Sequence, residues 1–173
     1  MYLHRVAGVL VSISQTTITS SISSSSDDAE ETGPDGLYNG VGFVNLLSPD
    51  IEMVRDDENP TSGAQYVGLR FGNINIPKGA TITNAFITFR AVTPNSPNTN
   101  SGVTNLTIKA QSSDDATTFS STTYNISSRP TTTASTSWSS LSAWTTGASY
   151  NTPAFNNCVQ EIVNRSGWTS GNS

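Results

Sequence analysis

The chain's two ends do not match. Near the N-terminus an apolar strand, Val9-Leu10-Val11-Ser12-Ile13, stands apart from the rest of the sequence. Val9, Val11 and Ile13 recur at period two and share one strand face. The next apolar residues, Ile18 and Ile22, have the opposite parity, so Gln15-Thr16-Thr17 separates two strands. At the other end the sequence runs through Trp168 to Gly171-Asn172-Ser173 with no apolar closing strand. Strand edges carry unpaired N–H and C=O groups, and another chain can supply their partners. This pattern predicts a detached donor extension over residues 1–17 and a β-domain over residues 18–173, joined to its neighbours by exchanged strands.

Composition narrows the class. The 173 residues suffice for one domain with a sizeable core. Net charge is −5, from 8 basic and 13 acidic side chains, which disfavours nucleic acid and anionic membrane surfaces as partners. Only 12% of residues are charged, and Ser, Thr, Asn and Gly abound, as in extracellular β-structure. Residues 1–14 carry too little apolar length for a signal peptide or a membrane span. They read as the start of a mature secreted chain, so the expected location is extracellular or at the cell surface, without membrane insertion. Cys158 is the sole cysteine, which excludes an intramolecular disulfide, and it reads as a small buried residue on a helix face.

Along the chain, short alternating runs sit between turn signals. Residues 18–24, 43–47, 51–54, 66–71, 85–91 and 106–110 read as strands. Asp27-Asp28-Ala29-Glu30-Glu31 reads as an acidic turn after a serine run. One helix is expected over residues 153–164, with Thr152 as N-cap, Pro153 at the first position, and Phe155, Val159, Ile162 and Val163 as its apolar stripe. The expected fold is all-β, a jelly-roll-like sandwich or barrel with this single C-terminal helix.

The run Gly68–Ala91 (GLRFGNINIPKGATITNAFITFRA), after SSSSDDAEE and SPDIEM, resembles secreted bacterial β-sandwich modules of the DNRLRE type. The shared pattern is an acidic segment (Asp27 to Glu31), a Leu69-Arg70-Phe71 strand, and a Pro77 to Ile82 turn into an outer strand. The resemblance covers residues 20–168. It implies a jelly-roll-like sandwich of the kind found in adhesins, polysaccharide-associated proteins and other surface proteins. It also implies a further apolar strand after Trp168, where this sequence departs.

Candidate chemistry is sparse. His4 is the only histidine and lies in the N-terminal extension, far in sequence from any nucleophile and acid it would need. Nothing places two carboxylates across a cleft for glycoside hydrolysis, so no enzyme is expected. Asp27, Asp28, Glu30 and Glu31, with Glu52 beside them, offer the oxygen ligands a Ca²⁺ ion takes, though their spacing is not an EF-hand. Trp138, Trp144, Trp168 and Tyr150 offer rings on which a sugar could stack; core or loop anchors are the more ordinary use of such residues. Three Asn-x-Ser/Thr triplets begin at Asn105, Asn125 and Asn164, a frequency that composition alone accounts for. The reading that draws most of this together is a homopolymeric, pilus-like fibre subunit whose assembly strand is Val9, Leu10, Val11 and Ile13; the alternative is a carbohydrate-binding module.

Overall fold

The computed structural model describes residues 15–36, 39–53, 63–93 and 104–173. The N-terminal strand with Val9, Leu10, Val11 and Ile13 lies outside the described residues, as do His4, most of the 93–102 loop and the polar loop 55–60.

The described chain is all-β with one short helix. Strand β1 (Asp28–Thr32) lies between β2 (Val44–Asn45) and β3 (Gln65–Leu69) in an antiparallel sheet. Strand β4 (Thr88–Arg90) pairs antiparallel with β7 (Ser149–Asn151), and β5 (Thr104–Ile108) with β6 (Thr136–Leu141). Helix α1 (Asn156–Val163) follows β7. Alternation is visible wherever a strand has one wet face. In β5, Leu106 and Ile108 are half-buried while Asn105 and Thr107 are exposed.

Four expectations are corrected. Of the expected acidic turn only Asp27 closes one, donating to the Ser24 carbonyl; Asp28–Glu31 form the body of β1, the central strand of its sheet. Its acids are tolerated because each buried carboxylate has a distant partner. Residues 18–24 form no strand: residues 15–23 make no backbone–backbone hydrogen bond among the described residues. Residues 51–53 likewise lie outside any strand. Thr152 does not cap the helix. Its N–H donates to the Ile87 carbonyl and its Oγ1 accepts from the Ile87 N–H, so it closes the β4–β7 pairing. The N-cap is Phe155, with no side-chain cap.

Two small apolar clusters hold the molecule. Ala29, Val44 and Phe119 pack with Leu46 and Ile126 on one side of β1. Gly68 makes room for this packing, since a Cβ there would sit 2.6 Å from the Phe119 ring. Ile162, Val163 and Trp168 gather Ile74, Ile76, Ile82, Ala110 and Val159 against the helix. Cys158 is fully buried, bearing out its reading as a small core residue.

Candidate functional site

The principal concave feature of the described residues is a cavity of about 2520 Å³. Apolar side chains from separate segments face it: Val67 and Leu69 of β3, Ile74 and Ile76, Ile82, Ile87 and Phe89, and Ile108 of β5. All of these are half-buried rather than buried. Small-molecule pockets run to roughly 300–1,000 Å³, so this space is larger than such a ligand needs. Protein interiors are close-packed, and an apolar hollow of this size lacks the contacts that would pack it. It divides the interior, since Phe119 and Ile126 of one cluster and Ile162, Val163 and Trp168 of the other all border it.

The rim carries a strand edge that has no neighbour among the described residues. In the β4–β7 ladder the bonded pairs are Ile87 with Thr152 and Ala91 with Ala148, and the alternate pairs Thr88–Asn151 and Arg90–Ser149 turn their backbone groups away from β7. Phe155 continues the contact by donating to the Ala85 carbonyl. The backbone N–H and C=O groups of Asn84, Phe86, Thr88 and Arg90 therefore point to the opposite side. They meet no hydrogen-bond partner among the described residues. Phe86 is 50% exposed, whereas Ala85, Ile87 and Phe89 are half-buried, and all four border the cavity. Gln15 Nε2 donates to Thr83 Oγ1 at 3.0 Å, immediately before the open stretch.

The five acids proposed as metal ligands do not converge. Strand alternation sends Asp27 and Glu31 to one face of β1 and Asp28 and Glu30 to the other. Asp27 is paired with Arg70 at 2.7 Å. Glu31 is fully buried, and its Oε2 accepts the N–H groups of Ile126 and Ser127 at 2.7 and 3.0 Å. Glu30 accepts from the Glu52 N–H at 2.7 Å and from Gln65 Nε2. Burial pushes the Glu30 carboxyl above the usual range, with hydrogen bonds from Glu52, Ser48 and Gln65 working against that shift. Burial also raises Asp28, with the Asp27 charge adding to it. Among the described residues no three His, Cys, Asp or Glu side chains come together to hold an ion.

The aromatic residues separate as well. Trp168 is buried and donates from Nε1 to the Ile76 carbonyl at 3.0 Å, so it anchors the core. Trp144 and Tyr150 stack on each other with centroids 4.5 Å apart, and Trp138 lies 5.9 Å from Trp144. Phe89 completes the group at 6.1 Å from both tryptophans. These rings tie β4, β6 and β7 together, and Phe89 and Trp144 among them border the cavity.

The open edge at residues 84–90 was not singled out by the sequence. Its alternation over Ala85–Ala91 was plain, but whether a strand has neighbours on one side or two is a property of the assembled sheet. No family model matches the chain, and neither a curated protein nor a solved structure matches it.

Proposed function

We propose that this protein is a structural subunit of an extracellular, pilus-like fibre, assembled by inserting the N-terminal strand of one copy into the cavity of the next. In this reading the small sheets are layers of a jelly-roll-like sandwich with a vacant strand position. The observation that carries it is the apolar cavity bordered by a strand edge whose backbone groups meet no partner among the described residues. An apolar surface of this kind and a row of free backbone groups are together what an added β-strand satisfies. The sequence carries an alternating apolar segment of the right chemistry in Val9, Val11 and Ile13, followed by residues 15–17. Burying three such side chains contributes roughly 1.5–3 kcal/mol each, before the cost of association. Because donor strand and acceptor cavity are different surfaces, the contact is head-to-tail and generates a filament when it does not close into a ring.

Deletion of residues 1–14 tests the reading. Full-length protein should form filaments by negative-stain electron microscopy, and the deleted chain should remain as soluble subunits. Filaments of normal appearance from the deleted chain would refute strand donation. A monomeric full-length protein whose tryptophan fluorescence shifts with polysaccharide would favour the carbohydrate-binding alternative.

A further inference from the structure

We propose that Asn39 is a site of spontaneous covalent modification: its side-chain amide condenses with the backbone nitrogen of Gly40 to a succinimide, which water opens to aspartate and isoaspartate. This chemistry does not depend on strand donation.

Asn39 and Gly40 lie in the connection between β1 and β2, and both are exposed. Asn39 adopts φ 51° and Gly40 φ 91°, so two successive residues are left-handed. Asn enters that region more readily than most side chains, and Gly enters it freely. Among the described residues the Asn39 amide meets no hydrogen-bond partner, and the Gly40 N–H donates to none. Nothing lies within 4 Å of where a Gly40 Cβ would sit. The attacking nitrogen therefore has no side chain beside it, no acceptor holding it and no neighbour crowding the ring as it closes. An exposed stretch with so few bonds rotates into the reactive geometry at low cost.

Other asparagines lack this combination, since Asn39 is the one asparagine in the sequence followed by glycine. Asn73 is also left-handed, at φ 57°. Its successor Ile74 is β-branched, and the Ile74 N–H is held by the Asn172 carbonyl at 2.9 Å. Asn172 precedes a small residue, Ser173, yet its Nδ2 donates to the Asp114 carbonyl and its Oδ1 accepts from Thr169 Oγ1, both at 2.9 Å. The Ser173 N–H is held as well, by Asp115 Oδ1 at 2.9 Å.

The step balances without an oxidant or a cofactor. The Gly40 nitrogen loses its proton and bonds to Asn39 Cγ, the Cγ–Nδ2 bond breaks, and ammonia leaves. Water then opens the ring at either carbonyl, so amide plus water becomes acid plus ammonia. Each event adds one negative charge to the net −5. Opening to isoaspartate routes the main chain through Cγ and inserts an extra carbon before Gly40. The Gly40 carbonyl accepts from the Phe43 N–H at 3.1 Å. Buried Gly42 donates to the Thr32 carbonyl and accepts from the Tyr124 N–H, both at 2.8 Å. The modification thus acts at the joint between the β1–β2 connection and the turn at Tyr124.

Peptide mapping reads the site. Full-length protein is incubated at neutral and mildly alkaline pH, digested and analysed by mass spectrometry, with isoaspartate scored by an isoaspartyl methyltransferase. The expected result is conversion at Asn39 with ammonia released in step, faster at the higher pH, while Asn73 and Asn172 stay amides. Gly40→Ala should slow the conversion about tenfold or more, because its Cβ shields the attacking nitrogen. Should Gly40→Ala fail to fold, Asn39→Gln tests the same point: it keeps a surface amide but closes a larger ring, and should abolish ammonia release from this site. An Asn39 that converts in urea but stays an amide in the folded protein would overturn the proposal, since the turn would then protect the pair. Equal conversion at Asn39 and Asn172 would overturn it too, since the fold would then select neither.

Discussion

Replacing Glu31 with alanine should be among the most damaging single changes outside the apolar clusters. Glu31 is a fully buried side chain on the central strand β1, and its Oε2 accepts two backbone N–H groups from residues 126 and 127. Those donors sit in a turn that Arg129 also organises, through bonds to the carbonyls of Thr117, Thr118 and Asn125 and by lying 4.3 Å over the Phe119 ring. Truncation to alanine orphans both N–H groups at about 1–3 kcal/mol each. It also removes a buried charge, whose desolvation cost is returned, so the net loss falls near 3 kcal/mol. In a domain of this size one kcal/mol moves the midpoint by about 2–4 °C, giving a drop of roughly 6–12 °C.

Glu31→Gln separates the two terms. It keeps an acceptor oxygen for the turn and removes the charge, but places an amide where Oε1 has no partner. Its loss should be near 1 kcal/mol, clearly smaller than that of alanine. Urea unfolding of both variants in the chain lacking residues 1–14 would measure this without interference from assembly. An alanine variant within about 1 kcal/mol of the parent, or a glutamine variant as damaged as alanine, would refute the claim that hydrogen-bond acceptance holds this turn to β1.

Gly33→Ala should cost roughly 1–3 kcal/mol, because its Cβ would lie 2.2 Å from the Ala64 carbonyl oxygen and only backbone movement relieves that contact; thermal unfolding measures it. Glu30, raised by burial, contributes stability that is complete below the ordinary value of 4.5 and is lost as pH rises through its folded value. Glu30→Gln should therefore gain on the parent across that window, in unfolding midpoints taken at successive pH values. Glu161 runs the opposite way, because the N–H groups of Ala134 and Thr133 lower its carboxyl. Glu161→Gln should lose stability relative to the parent at neutral pH and converge with it as pH falls through the folded value. Cys158 should resist a thiol reagent in the folded protein and react at once in denaturant, since it is fully buried in a helix packed on the core.

What the sequence revealed followed local periodicity. The strands at 65–69, 88–90 and 104–108 and the helix after Phe155 were legible because alternation or an apolar stripe survives in each. Strand β1 was not, because an acidic run that follows four serines resembles a turn until Arg70 and the 126–127 backbone are known to meet its acids. Strands β6 and β7 hide in Ser- and Thr-rich stretches, where Trp138 and Tyr150 supply isolated apolar anchors. Thr152 was a reasonable cap by residue type, but a strand partner claimed its hydroxyl. For the cavity, the inward residues were visible singly, at Ile82, Ile87 and Phe89. Their convergence on an unfilled space was not, since it depends on which strand edges lack neighbours.

The division of the core has an energetic consequence. Neither cluster is large: Ala29, Val44 and Phe119 form one, and Ile162, Val163 and Trp168 the other, with the cavity between them. Under the strand-donation proposal, a strand seated in the cavity would border residues of both clusters. Stability of the subunit should then depend on occupancy of the cavity. If a synthetic peptide of residues 5–15 binds the folded state of the chain lacking residues 1–14, a hundredfold excess over its dissociation constant should add about 2.7 kcal/mol. That corresponds to a midpoint rise of roughly 5–11 °C. The same peptide carrying Val11→Asp should have no effect, since it would set an unpaired carboxylate in an apolar cavity. A midpoint that ignores the native peptide at saturating concentration, or responds equally to both peptides, would mean that the cavity does not recognise the strand.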